Sequence, residues 1–163
     1  MSMKRFFRFA VKLRIHNISN IRNDWNIMQI SDVDGNLQFS IGLSPQSKTI
    51  YFSMIIRNGT THTNSWHLKE VFDYKWHKIR FGIFRHFPSE HKDSAHKQYV
   101  ALYLDCNLIG KMMPLDNAHF NELDAEGYMK MSVAVGTGET IPIDLQNMVI
   151  TCNPNRIGLE ICE

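Results

Sequence analysis

The chain of 163 residues carries 18 Lys and Arg against 16 Asp and Glu, a formal net charge of +2, and three cysteines. This length suits one domain within the usual range of about 100–200 residues. The composition, 44% hydrophobic and 21% charged, excludes intrinsic disorder and collagen-like repeats. No apolar run approaches the roughly 18 residues that a membrane-spanning helix needs.

The near-neutral total hides an uneven distribution of charge. The first 23 residues contain no acidic residue and several basic ones, which are Lys4, Arg5, Arg8, Lys12, Arg14 and Arg22. Residues 105–163 instead hold nine acidic residues against three basic ones. This asymmetry indicates a polyanion or an acidic surface as the partner.

Hydrophobic alternation with a period of two predicts strands over most of the chain. In the clearest run, residues 7–15, the expected inward residues are Phe7, Phe9, Val11, Leu13 and Ile15, and the outward ones Arg8, Ala10, Lys12 and Arg14. Further strands are predicted over residues 37–43, 50–56, 77–85, 99–106, 128–135 and 143–152, the last near the middle of a sheet. Turn sequences at 34–36, 44–46 and 58–59 separate the first of them.

Helical signal is limited to residues 66–72 and 154–162, so the predicted fold class is an all-β antiparallel sandwich. Residues 86–98 form a polar segment that we expect to protrude as a loop, and residues 114–127 form a second, acidic loop. Since no linker interrupts the pattern, we expect residues 1–163 to form a single domain.

Motifs for enzymatic chemistry are missing from the sequence. Gly136-Thr137-Gly138 lacks the lysine and the helix that follow a phosphate-binding loop, which indicates a turn. Cys106 follows Asp105 but has no assignable histidine partner, so we expect a half-buried strand cysteine rather than a nucleophile. We therefore expect no catalytic residue and no cofactor.

Two patterns resemble metal sites only in part. The wide spacing of His86, His91 and His96 differs from the closer ligand pairs of zinc sites, which favours chance enrichment in a solvated loop. The stretch from Asp32 to Asn36 resembles the start of a calcium loop, but no glutamate follows at the required distance. We expect a β-turn there and no metal site.

The basic face of the first strand is the one constellation with a binding mechanism. Arg8, Lys12 and Arg14 project to one side over roughly 20 Å, at about 3.3 Å per residue, and could meet the sulfates of an extended glycosaminoglycan. The alternative is an ordinary solvated strand face. Lys78 and Arg80 share a face of another strand and would extend the site if they lie nearby. The candidate glycosaminoglycan-binding residues are Lys4, Arg5, Arg8, Lys12, Arg14, Lys78 and Arg80.

The signals for cellular location conflict. No apolar signal-peptide core follows Met1, which by itself indicates a cytosolic protein with reduced thiols. Two candidate N-glycosylation sites, Asn17 and Asn58, instead favour secretion slightly, and Asn58 lies in a predicted turn.

Several motifs occur in a characteristic order. The first is the string DWNIMQI at residues 24–30, followed by an Asp-x-x-Gly turn. The later ones are Phe72-Asp73 with Trp76-His77-Lys78-Ile79, the string LYLDCN at 102–107, Asp144-Leu145-Gln146, the string ITCNP at 150–154, and Cys162-Glu163. Together they resemble the N-terminal non-collagenous domain of type IX collagen and its relatives in other fibril-associated collagens, which are thrombospondin N-terminal-like domains of the laminin G-like group.

This resemblance implies a laminin G-like (concanavalin A-like) jelly-roll sandwich and a non-enzymatic, secreted matrix module of a collagen. It also implies a disulfide between Cys106 and Cys152, with Cys162 left to pair with a cysteine upstream. The upstream segment and its signal peptide would then be missing from this chain. The residues alone leave three single pairings and fully reduced thiols open. Residues 86–98 depart from the family, which has a tight turn there.

Three functions follow from these patterns. The first is a matrix-interaction module that binds heparan sulfate or a similar polyanion and other matrix proteins, without nucleic acid binding or membrane insertion. The second is a protein-only spacer or adhesion module of a collagen. The third, a carbohydrate-binding or hydrolytic relative on a similar sandwich, ranks last because no predicted strand carries a pair of catalytic carboxylates.

Overall fold

A computed structural model describes residues 7–16, 22–32, 34–55, 61–84, 98–110, 113–115, 130–135 and 142–151. Most of the described residues lie in strands. The strands are β1 Phe7–Ile15, β2 Trp25–Ser31, β3 Leu37–Ser44, β4 Thr49–Ile55, β5 Thr61–His67, β6 His77–Phe84, β7 Gln98–Leu104, β8 Asn107–Leu108, β9 Met113–Leu115, β10 Lys130–Val135 and β11 Ile143–Thr151. A 3-10 turn, Lys69–Phe72, follows β5, and no helix of the described ranges is long and apolar enough to cross a membrane.

The strands form two sheets. One is six-stranded, in the order β11-β1-β6-β7-β8 with β9 also paired to β7, and the other is five-stranded, in the order β10-β2-β3-β4-β5. Every pairing whose register is described is antiparallel, which confirms the all-β antiparallel prediction. Two compact units divide the chain. Unit 1 comprises Met1–Leu13, His77–Ala118 and Leu145–Glu163, and unit 2 comprises Arg14–Trp76 and His119–Asp144.

The core of unit 1 follows from the alternation in three neighbouring strands. Phe9 of β1 lies opposite Phe81 of β6, which lies opposite Leu102 of β7, and all three side chains are buried. Val11 and Ile79 form the next row. Burying one face of each strand in this way specifies the register, because a slip of one residue would turn every apolar side chain outward.

Ala10 differs from its predicted outward exposure, since it is only 5% exposed. It lies opposite Arg80 and between the long side chains of Arg8 and Lys12 in the sequence. A methyl group among long basic side chains is covered by their aliphatic stems, so its burial does not contradict its place on the outward side.

Unit 2 has its own core on the five-stranded sheet. Phe52 of β4 is fully buried opposite Ile41 of β3, and its ring centroid lies 6.0 Å from that of Phe39. Gly42 of β3 is also buried, because the ring of Tyr51 occupies the space where a Cβ would lie. A side chain at position 42 would therefore displace the tyrosine ring.

The turn between β2 and β3 is organised by Asp32. Its carboxylate accepts hydrogen bonds from the backbone N–H groups of Asp34 and Asn36, at 3.0 and 2.8 Å, and from the side chains of Asn36 and Gln38. Gly35 donates its N–H to the carbonyl of Asp32 and adopts a φ of 86°, which glycine tolerates freely. The expected turn is confirmed, and the donors, first the Asn36 side chain, hold the pKa of Asp32 below its ordinary value.

Two strand predictions are wrong in detail. β7 ends at Leu104, because Asp105 and Cys106 adopt φ values of 45° and 72°, which an extended strand does not allow. Cys106 is thus a turn residue rather than a strand cysteine. Among the described strands, β11 lies at the edge of its sheet and not near the middle, since an apolar composition does not determine how many neighbours a strand has.

Four described strands, β2, β5, β8 and β9, carry no strand prediction from the alternation. In β5, Thr61–His67, both faces are largely polar, so no apolar period reveals the strand. The predicted helical stretch 66–72 is divided between the end of β5 and the 3-10 turn. The predicted turns at 58–59 and 136–138, the helix at 154–162 and most of the loops at 86–98 and 114–127 lie outside the described residues. The described ends of these loops are strand instead, since residue 98 begins β7 and residues 114–115 belong to β9.

Truncation of Phe52 tests the core of unit 2. We expect Phe52→Ala to lower the free energy of unfolding by about 3–5 kcal/mol, because the ring is fully buried and its loss leaves a cavity. Leu37→Ala, at a side chain that is 38% exposed in the same sheet, should cost about 1 kcal/mol or less. Urea unfolding followed by tryptophan fluorescence measures both, and equal midpoints for the two variants would contradict the described core.

Candidate functional site

The β1–β6 register brings basic side chains of the two strands together. Lys12 lies directly opposite Lys78, Arg80 lies opposite Ala10, and Arg8 lies opposite Gly82. Residues opposite each other in an antiparallel pair share a face, with Cβ atoms about 4.5–5.5 Å apart. Arg8, Lys12, Lys78 and Arg80 thus form one surface, the basic face.

Small residues separate the large ones on the basic face. Ala10 and Gly82 each face an arginine across the strand pair, which leaves room for the two guanidinium groups. Lys12 is exposed, and the other three basic residues are half-buried. The face positions of β1, β6 and β7 within unit 1 hold these four basic residues and no acidic one.

Tyr103 of β7 orients one of the arginines. Arg80 lies opposite Tyr103 in the β6–β7 register, and its guanidinium carbon is 5.4 Å from the centroid of the tyrosine ring. Stacking on an aromatic ring fixes the plane of a guanidinium and so sets the direction of its N–H groups. The sequence did not indicate this contact, although Tyr103 lies within a predicted strand.

The position of Lys78 is set by a hydrogen-bonded turn. Asp105 donates its backbone N–H to the carbonyl of Lys78 at 2.8 Å, and its carboxylate accepts the N–H of Lys78 at 2.8 Å. The same carboxylate contacts Nδ1 of the largely buried His77 at 2.7 Å. These bonds attach the β7–β8 turn to the start of β6 and so hold one end of the basic face.

Cys106, beside Asp105 in this turn, is disulfide-bonded. Its two candidate partners in the chain, Cys152 and Cys162, lie outside the described residues. So do Lys4, Arg5, Asn17 and Asn58, so that the terminal part of the predicted basic strip and both predicted glycosylation sites stay predictions.

Arg14 has a partner in its own unit. Its Nε and Nη2 donate to Oδ2 of Asp144 at 3.0 and 2.6 Å, and its guanidinium lies 4.9 Å from the centroid of the Trp76 ring. Nε2 of His16 contacts the same carboxylate oxygen at 2.7 Å. Because Asp144 offsets the charge of Arg14, this residue contributes less positive charge than the sequence pattern predicts.

The bond from Arg14, and next the one from His16, holds the pKa of Asp144 below its ordinary value. The two side chains of the ion pair remain partly exposed, at 36% and 40%. Within the described ranges, no three His, Cys, Asp or Glu side chains gather as metal ligands would.

No family model matches the chain. It is similar to the human collagen alpha-1(XIX) chain, with 28% identity over 143 residues that cover 87% of this chain and 11% of that protein. It is also similar to the human collagen alpha-1(XVI) chain, with 24% identity over 140 residues, covering 85% and 8%. For the Xenopus laevis collagen alpha-1(XXI) chain, the identity is 25% over 142 residues, covering 83% and 13%.

These similarities confirm the predicted resemblance at the level of collagen chains. The finer assignment to the thrombospondin N-terminal-like and laminin G-like groups, and to type IX, stays a prediction. The chain spans only 8% to 13% of the length of these relatives.

Solved structures share the fold. The chain superposes on the botulinum neurotoxin serotype D ligand-binding domain in complex with N-acetylneuraminic acid with a TM-score of 0.63 at 12% identity, covering 90% of this chain and 32% of that one. The serotype G binding domain gives 0.62 at 15% identity, covering 92% and 33%. Such low identity shows the fold alone, and the predicted all-β jelly-roll sandwich is confirmed.

The Asp144 ion pair makes stability depend on pH. Because the folded-state pKa is lowered, the pair stabilises the fold above the unfolded-state value of about 3.9 and ceases to do so as pH falls through the folded-state pKa. We expect wild type to be more stable than Asp144→Asn near pH 7 and the difference to shrink towards pH 3. Urea unfolding of both proteins between pH 3 and 7 measures it.

The exposed Asp34→Asn change removes the same charge from a carboxylate without a described ion pair and serves as the control. If Asp144→Asn is no less stable than wild type at pH 7, the ion pair does not stabilise the fold.

Proposed function

We propose that this chain is a non-enzymatic extracellular matrix module that binds heparan sulfate or a similar sulfated polyanion through the basic face. The observation that carries the proposal is the β1–β6 register, which places Lys12 opposite Lys78 and Arg80 beside them. Sulfated glycans present regularly spaced anionic oxygens, which form charge-assisted hydrogen bonds with such side chains.

The geometry of the basic face suits an extended chain of anions. Basic residues two positions apart on a strand are separated by about 6.6 Å, and those on paired strands by about 4.5–5.5 Å, so one polyanion could contact several at once. Lys12 lies directly opposite Lys78, so one anionic group of a ligand could contact both side chains. Arg80, stacked on Tyr103, supplies a directed guanidinium.

The similarity to collagen chains supports the matrix location. We propose that residues 1–163 act as one secreted module, that other matrix proteins are further partners, and that Lys4 and Arg5 extend the basic face. Nucleic acid and membranes are not proposed as partners. Because Arg14 is paired with Asp144, we expect its contribution to glycan binding to be small.

Heparin affinity chromatography tests the basic face. We expect wild type to be retained and to elute with salt, because exposed charge contacts are screened within about 8 Å at physiological ionic strength. Lys12→Ser/Lys78→Ser removes two of these contacts and should elute at a clearly lower salt concentration. Lys69→Ser/Lys75→Ser removes the same charge at exposed positions of unit 2 and should elute as wild type does.

Each contrary result has a definite meaning. Equal losses in both double variants would show that net charge and not the basic face causes retention. A wild type that is not retained on heparin but still binds matrix proteins would favour the protein-only spacer or adhesion module.

We also propose that Cys106 forms a disulfide with Cys152, as the resemblance implies, and that Cys162 pairs with neither of them. The disulfide at Cys106 supports the first part. A bridge between these positions would close a loop of nearly fifty residues. In the chain-entropy model this raises the free energy of unfolding by roughly 4 kcal/mol.

Tryptic mapping without reduction distinguishes the pairings. Cleavage after Lys97, Lys111, Lys130 and Arg156 leaves each cysteine in its own peptide, at residues 98–111, 131–156 and 157–163. We expect the first two peptides to be linked and to separate on reduction. Linkage of the first to the third would overturn the proposed pairing.

A further inference from the structure

β5 is an edge strand without the usual protection. It pairs with β4 over its whole length of seven residues, from Thr61 opposite Ile55 to His67 opposite Thr49, and no other described strand lies along its outer side. Its sequence THTNSWH contains no Lys, Arg, Asp, Glu or Pro. An edge that is regular and uncharged leaves backbone N–H and C=O groups ready to pair with another strand.

The other described edges carry features that oppose such pairing. β11 holds Asn147 with a φ of 51° in its middle, which interrupts the pleat, and the charged Asp144 near its start. β8 has only two residues, and β10 begins with Lys130. Short strands, local distortions and edge charges are the common means by which proteins avoid edge-to-edge association. Among the described edges, β5 is the one that lacks them.

The sequence of β5 is complementary to itself in an antiparallel arrangement centred on Asn64. In that register, Thr63 lies opposite Ser65 of the second copy, and Thr61 lies opposite its His67. Thr63 and Ser65 are exposed on the same side of the strand. Opposed hydroxyl side chains form favourable cross-strand pairs. Histidine is the only titratable residue type in the strand, and no histidine lies opposite another in this register.

We propose that β5 pairs antiparallel with β5 of a second copy about a two-fold axis beside Asn64, which joins the two five-stranded sheets into one continuous sheet. The same surface is used by both copies, so the assembly closes at two. The proposal concerns unit 2 and does not depend on the proposed glycan-binding function, since the four residues of the basic face lie in unit 1.

The expected dimer is weak. Two seven-residue strands bury less than the about 1,200 Å² that marks the lower limit of stable interfaces, so association should be concentration-dependent and rapidly reversible. We therefore expect wild type to shift from monomer to dimer over a micromolar to submillimolar range of protein concentration.

Paired charge substitutions at the exposed positions test both the edge and its register. Thr63→Lys/Ser65→Lys places lysines opposite lysines across the proposed axis, and we expect it to abolish the dimer. Thr63→Glu/Ser65→Lys places each glutamate opposite a lysine of the other copy, and we expect it to associate at least tenfold more tightly than the double-lysine variant. Sedimentation velocity over a series of concentrations measures all three proteins.

Circular dichroism verifies that each variant keeps its β-sheet content. Lys69→Ser/Lys75→Ser, a double substitution outside β5, is the matched control. The proposal is overturned if wild type stays monomeric at the highest concentration, if the two β5 variants associate equally, or if association continues beyond two copies. If a variant unfolds, Asn64→Lys replaces it in the test. This change places the lysines of the two copies opposite each other at the axis and should also abolish the dimer.

Discussion

The register between β1 and β6 is the constraint on which the rest of unit 1 depends. It aligns Phe9 with Phe81 on the buried side and, in the same step, Lys12 with Lys78 on the outer side. Because successive side chains of a strand point to opposite faces, the packing of the apolar residues determines which basic residues become neighbours. The basic face is therefore held in place by the core beneath it.

The β7–β8 turn reinforces this register at one end. Asp105 bonds both backbone groups of Lys78 and the ring of His77, while Cys106 beside it is covalently held by a disulfide. Residues with positive φ in a two-residue connection match the twist of paired strands, so the turn that begins at Asp105 continues β7 directly into β8. A single aspartate thus couples the geometry of a turn to the placement of a candidate binding residue.

The structure assigns different environments to basic residues that look equivalent in the sequence. Lys12 lies opposite another lysine, whereas Arg14 is held by Asp144 and stacks on Trp76. Alternation predicts the side of the strand on which a charge lies, but Asp144, the partner of Arg14, lies 130 positions away in the sequence. Pairing across such a distance is a tertiary property, and it changes how much charge a residue offers to a ligand.

Local pattern in the sequence determined the all-β class, the bounds of β1 and its buried side, because apolar alternation depends only on residues that are close together in the sequence. The motif order likewise indicated collagen relatives, which the comparisons support. Tertiary structure alone decided that β11 is an edge among the described strands and that β5 exists, since polar strands carry no apolar period and strand order depends on distant pairing. It also decided that a chain with a net charge of only +2 carries its positive charge as a defined face, because register brings together lysines from β1 and β6.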